Sequence, residues 1–77
     1  MLELYYSKTC PYCKNVVDSF ASTGIEFIPK DISIKENYDK LMELGKIAQV
    51  PFLVDTKNNK MMYESGDIIT YVQNLNK

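Results

Sequence analysis

Apolar and aromatic residues are grouped in short blocks along the chain, and the spacing within each block predicts an element. Leu2 to Tyr6 is dense in apolar and aromatic residues and is predicted as a strand. Ser7-Lys8-Thr9 interrupts it, and Pro11 suits the first turn of a helix, where a missing N–H does no harm. Cys13, Val16, Val17, Phe20 and Ala21 then recur at a helical period, and Thr23-Gly24 ends that helix. Ile25 to Pro29 is predicted as a second short strand and Asp31 to Ser33 as a loop. A second helix is expected from Lys35 to Leu44, with Tyr38, Leu41 and Met42 on one face and Gly45 at its end. Val50 to Val54 enters a third strand, with Pro51 at its start because proline cannot donate to a ladder. Asn58-Asn59 fits a hairpin turn, and Met61 to Tyr63 forms the returning strand. Ser65 is a good N-cap, Asp67 falls in a first turn, and Ile68, Tyr71, Val72 and Leu75 mark the last helix. The expected order is β-α-β-α-β-β-α. The first helix is long enough for a right-handed parallel crossover, and the last two strands pair as a hairpin.

Composition narrows the class. The 77 residues fit one domain, 1–77, without repeat or linker, and 45% hydrophobic with 25% charged residues is an ordinary globular balance. Nine Lys against ten Asp and Glu give a net charge of -1, so no bulk basic field exists to hold nucleic acid. The apolar runs are far shorter than the roughly 20 residues of a membrane-spanning helix, so no membrane partner is expected. Met1-Leu2-Glu3-Leu4 shows no basic segment leading into an apolar run, and no signal peptide is expected.

The two cysteines carry the candidate chemistry. Cys10 and Cys13 are separated by two residues, so a bridge between them closes a very small loop and removes little unfolded-state entropy. A secreted disulfide framework would spread more cysteines further apart. A structural zinc site needs four ligands, and the chain has no His and no second Cys pair, so no metal is expected. The pair sits where the first strand turns into the first helix. There, helix N–H groups and the dipole favour the Cys10 thiolate, the nucleophile of disulfide exchange, with Lys8 and Lys14 as nearby positive charges. Cys13, one turn further in and facing the core, suits a resolving thiol that attacks a mixed disulfide at Cys10. Two buried structural cysteines are the plain alternative.

Thr9-Cys10-Pro11-Tyr12-Cys13 resembles the active site of dithiol glutaredoxins, and the element order resembles the thioredoxin fold over essentially the whole chain. The resemblance implies an α/β fold, a four-stranded mixed sheet with helices on both faces. It also implies a cytoplasmic, monomeric, glutathione-dependent thiol–disulfide oxidoreductase with Cys10 and Cys13 catalytic. Its partners would be glutathione, as co-substrate, and disulfide-bonded or glutathionylated proteins, with no bound cofactor. Val50-Pro51 matches the family's cis-proline site, where the backbone of Val50 would pair with the cysteinyl part of glutathione. Glu64-Ser65-Gly66-Asp67 falls where glutaredoxins hold the γ-glutamyl carboxylate. Here the chain departs from glutaredoxins, and Tyr63-Glu64-Ser65 resembles instead the N-terminal domain of glutathione S-transferases; both relatives hold glutathione at this place. Lys8 and either Gln49 or Lys46 would meet the glycine carboxylate, although Lys46 also reads as a simple helix C-terminal cation. The chain has no Arg for a bidentate clamp. Tyr12 is expected to line the groove.

Three other readings compete. One is an electron donor of the same type reduced by thioredoxin reductase. Another is a binding module in which two copies hold an iron–sulfur cluster through Cys10 and two glutathiones, which the stiff Pro11 disfavours. The last, a detached half of a glutathione S-transferase, would need a helical second domain for which 77 residues leave no room.

Overall fold

The structure, a computed structural model, describes residues 1–75. The last two residues of the expected 1–77 domain lie outside it. Its elements are β1 (Leu2–Tyr6), α1 (Pro11–Thr23), β2 (Ile28–Asp31), α2 (Lys35–Gly45), β3 (Phe52–Asp55), β4 (Lys60–Met62) and α3 (Ser65–Leu75). The four strands form one mixed sheet in the order β2-β1-β3-β4. β1 pairs parallel to β2 and antiparallel to β3, and β3 pairs antiparallel to β4. This is the thioredoxin-like α/β architecture that the element order implies.

The two-residue period of β1 and β3 divides the core between the sheet's faces. Leu2, Leu4 and Leu53 lie on one face with Val16 and Phe20 of α1 and Ile68 and Val72 of α3. Tyr5, Phe52 and Val54 lie on the other with Leu41 of α2. Helices therefore cover both faces, but unequally. Leu41 is the one fully buried residue of α2, and Tyr38, expected beside it, is exposed.

Several boundaries differ from the sequence reading. β2 begins at Ile28, not Ile25, and runs through Asp31, because its ladder lasts only as long as Glu3 to Tyr6 of β1 supply partners. Ile25 and Phe27 pack instead against the end of α1, with the Phe20 and Phe27 rings 4.3 Å apart. Pro29 is tolerated within β2 because that strand is the sheet's edge. Tyr63 lies just past the end of β4. The first helical bond of α3 runs from the Ile68 N–H to the Glu64 carbonyl. The cap position therefore falls on Glu64, and Ser65 is the first helical residue. α1 ends as expected, with Gly24 left-handed at φ 72. α2 does not: Gly45 is still helical, and Lys46 takes the left-handed position at φ 69.

The β3–β4 turn is held by a residue that no sequence pattern marked. Asp55 is 3% exposed. Its carboxylate accepts the N–H groups of Lys57 (3.1 Å) and Asn58 (3.3 Å), the Asn58 Nδ2 (2.8 Å) and the Tyr71 hydroxyl. Only Asn59 of the expected Asn-Asn pair has positive φ. Burial alone would raise the Asp55 carboxyl, but these donors outweigh it and hold the group below the ordinary carboxylate range. Burial and the Asp55 carboxylate raise the Tyr71 hydroxyl in turn. Among the described residues, no helix is long and apolar enough to cross a membrane.

Asp55→Ala is expected to cost about 1–3 kcal/mol, because it leaves the Tyr71 hydroxyl and the turn N–H groups without their acceptor. Equilibrium urea unfolding checks this, and an unchanged midpoint contradicts it. The carboxylate's contribution is complete above the unfolded value of about 3.9 and is lost as pH falls through the lower folded value. Asp55→Asn should therefore flatten the acid limb of the stability–pH curve.

Candidate functional site

The site is built on the turn from β1 into α1. The Cys10 N–H donates to the Ser7 carbonyl at 3.1 Å, folding the turn back on itself. Cys10 stays extended (φ -91, ψ 114) and caps α1, with Pro11 in the first turn. Its sulfur accepts the Cys13 N–H at 3.3 Å, in the role a Ser or Asp oxygen usually plays at an N-cap. Both thiols are free; Cys10 is partly exposed and Cys13 is buried. Forty residues further along the chain, the Val50 carbonyl lies 3.9 Å from the Cys10 Sγ, accepting from the thiol. The Val50–Pro51 peptide bond is cis, as the resemblance implies, and Pro51 is buried at the entry to β3.

Burial, followed by the neighbouring Cys10 sulfur, pushes the Cys13 thiol up to about 12, against a smaller lowering by the Ser7 backbone. The two sulfurs are therefore chemically unequal. One is a helix cap at the surface; the other is held as a neutral thiol inside. Cys13, Val16 and Phe20 form the buried stripe of α1, so the side chain that would resolve a disulfide belongs to the core.

A cleft of about 330 Å³ opens beside this turn, lined by Tyr12, Gln49, Val50, Pro51, Tyr63, Glu64 and Ser65. Six of these were candidates from sequence; Tyr63 had been read only as a strand residue and as part of the Glu-Ser segment. Lys8 does not line the cleft. Its ammonium lies 3.8 Å from the Asp31 carboxylate, and Lys8 borders a smaller recess of about 220 Å³ with Cys10, Cys13 and Lys14. Asp31 is held below the ordinary carboxylate range mainly by the Ser33 N–H, with Lys8 adding to the effect. Lys14 pairs with Asp18 at 3.5 Å. Gly66 and Asp67 continue α3 away from the cleft lining, and Asp67 borders a shallow hollow with Met62, Thr70, Tyr71 and Asn74. Lys46 occupies the helix cap and lies outside the cleft lining. A hollow of about 470 Å³ at the end of α1, between Val17 and Phe27, has no cysteine in its lining. Among the described residues, no group of His, Cys, Asp or Glu is placed to hold a metal ion.

The sequence profile of the glutathione S-transferase N-terminal domain matches residues 4–77. No curated protein sequence matches the chain. Among solved structures, a point mutant of the thioredoxin-like protein BC3987 superposes with a TM-score of 0.82 at 17% identity, covering 100% of both chains. A glutathione S-transferase from the Antarctic clam Laternula elliptica gives 0.79 at 25% identity, with 96% of this chain covering 34% of that one. The trimeric Leishmania glutathione transferase TDR1 gives 0.77 at 26% identity, with 95% of this chain covering 16% of that one. The chain thus spans about a third of one transferase, about a sixth of the other, and the whole of the thioredoxin-like protein. The profile match extends over nearly the whole chain, including the cysteine turn, Val50-Pro51 and Glu64-Ser65, and the chain belongs to the glutathione S-transferase N-terminal domain family.

Proposed function

We propose that this domain is a glutathione-dependent thiol–disulfide oxidoreductase of the dithiol glutaredoxin type, acting on protein disulfides and glutathionylated thiols. The observation that carries this reading is the Cys10 sulfur. It caps a helix, accepts an N–H at 3.3 Å, and lies 3.9 Å from the backbone of a residue lining the adjoining cleft. The cap sets this sulfur at the N-terminal end of α1, and the family supports glutathione as the occupant of the cleft. Glutathione would place its cysteinyl part along the Val50 backbone. Its γ-glutamyl carboxylate would meet the Ser65 hydroxyl and the N–H groups that precede the first helical hydrogen bond of α3. Gln49 is the candidate for the glycine carboxylate. Lys8, paired with Asp31 outside the cleft, is not.

In the monothiol route, the Cys10 thiolate attacks the glutathione sulfur of a glutathionylated protein. The Cys10–glutathione disulfide forms, and the protein thiolate leaves and takes a proton from water. A second glutathione thiolate then attacks the glutathione sulfur. Oxidised glutathione departs and the Cys10 thiolate is regenerated; one half of it is the glutathione the substrate carried and the other is the one reduced glutathione consumed, so one free thiol enters and one protein thiol is released. In the dithiol route, Cys10 forms a mixed disulfide with the target. Cys13 loses its proton and attacks the Cys10 sulfur, releasing the reduced target, and two glutathiones reduce the Cys10–Cys13 disulfide. Burial keeps Cys13 a neutral thiol at neutral pH, so its attack on the mixed disulfide is the slower step of the dithiol route.

Cys10→Ser should abolish exchange on both substrate types, and turnover above a few per cent of wild type contradicts the assignment. Cys13→Ser should retain activity on glutathionylated peptides and lose it on protein disulfides. Equal loss of both activities would show that Cys13 does more than resolve. Closure of a preformed Cys10 mixed disulfide, followed without glutathione, should accelerate about tenfold per pH unit between pH 7 and 10, since only the Cys13 thiolate attacks. A flat profile would show that its ionisation is not limiting. Reduction of the oxidised protein by glutathione, compared with reduction by thioredoxin reductase and NADPH, tests the choice of reductant; reduction only by the latter would remove glutathione from the scheme.

A further inference from the structure

The C-terminal end of α2 departs from the usual pattern. Helices that end in a left-handed residue generally place Gly there. Here Lys46 adopts φ 69, while the glycine stands one position earlier, still in the helix and without positive φ. A glycine inside a helix weakens it relative to alanine, so conformational freedom does not explain Gly45. Space does. A Cβ at position 45 would collide with the Tyr63 hydroxyl and would come within 2.7 Å of the ring carbon that bears it. Tyr63 uses this opening to donate a hydrogen bond from its hydroxyl to the Ile47 carbonyl at 2.9 Å. Its ring packs on Phe52, with centroids 4.5 Å apart.

Tyr63 therefore touches both walls of the cleft. It precedes Glu64-Ser65 in the chain, and its hydroxyl holds the segment 46–51, which brings Gln49, Val50 and Pro51 to the opposite side. That segment is otherwise lightly held: Lys46, Ile47, Ala48 and Gln49 are all exposed. We infer that Tyr63 is a positioning residue, whose hydroxyl latches the 46–51 segment through Ile47 so that the Val50 backbone is preset for glutathione. This rests on the reading of the cleft as the glutathione site. Preset geometry lowers the ordering cost of binding and acts on affinity, not on the sulfur chemistry at Cys10.

The test is Tyr63→Phe, which keeps the ring and its packing on Phe52 and removes only the hydroxyl. With a glutathionylated peptide as substrate at fixed glutathione, the KM for the peptide is expected to rise about three- to tenfold, as loss of one partly exposed hydrogen bond implies, while kcat stays within about twofold. Amide hydrogen exchange at Ile47, Ala48, Gln49 and Val50 should become faster. Gly45→Ala should reproduce both effects by displacing the Tyr63 hydroxyl; if that variant fails to fold, Tyr63→Phe decides alone. A lower Tm with unchanged KM and unchanged exchange assigns Tyr63 to packing only and overturns the inference, as does a fall in kcat at constant KM. A wild type that shows no glutathione-dependent turnover of the peptide removes the proposed function instead. The exchange data then decide the latch: faster exchange in Tyr63→Phe upholds it, and unchanged exchange overturns it.

Discussion

The Cys13 N–H bond to the Cys10 sulfur sets the terms for the rest of the site. An α-helix begins with N–H groups that have no partner within the helix, and an oxygen side chain normally satisfies one of them. In this domain the capping atom is sulfur, so one contact finishes a helix and holds the Cys10 sulfur at its positive end. Cys13 is fixed by the same turn. Three residues on from the cap, it falls on the stripe of α1 that faces the sheet and becomes a core residue by helical geometry alone. The core position raises the Cys13 thiol by burial, while Cys10 stands partly exposed at the cap.

The sheet supplies what this turn cannot. β1 delivers the turn, and β3, its antiparallel neighbour, is entered from the Val50–Pro51 segment, so the register Tyr5↔Phe52 brings Val50 toward Cys10. The two faces divide the work. α1 and α3 form a well-filled layer around Phe20, Ile68 and Val72, which anchors the helix that Cys10 caps. On the other face α2 contributes one fully buried residue, Leu41, and its departing segment is braced by Tyr63. The cleft lining in this domain thus sits on the more lightly held side, next to the firmly packed helix that Cys10 caps.

Much of this was legible in the sequence. Pro11, the helical period through Val16 and Phe20, and Gly24 mark α1, because caps and periods are local properties of the chain. The Cys-Pro-Tyr-Cys segment pointed to redox chemistry through its position between strand and helix. Elements whose limits depend on a partner were less legible. Ile25 to Phe27 has strand composition but extends beyond the reach of β1, so it packs as a loop. Gly45 has the look of a helix stop and is instead a clearance for a tyrosine. Ser65 is a preferred capping residue, yet the chain enters α3 one residue earlier, at Glu64.

The sequence by itself determined the order of elements, the two-faced pattern of the central strands and the placement of a cysteine pair at a helix start. These are written in spacings of two to seven residues. The tertiary structure alone decided which distant groups meet. It set Lys8 against Asp31 and away from the cleft, gave Asp55 the Tyr71 hydroxyl as a buried partner, and brought the Val50 carbonyl to Cys10. It also laid Tyr63 across Gly45 onto Ile47. Such meetings depend on strand register and on how two helical layers seat on a sheet, and both are settled by packing across the whole domain, where no local period reaches.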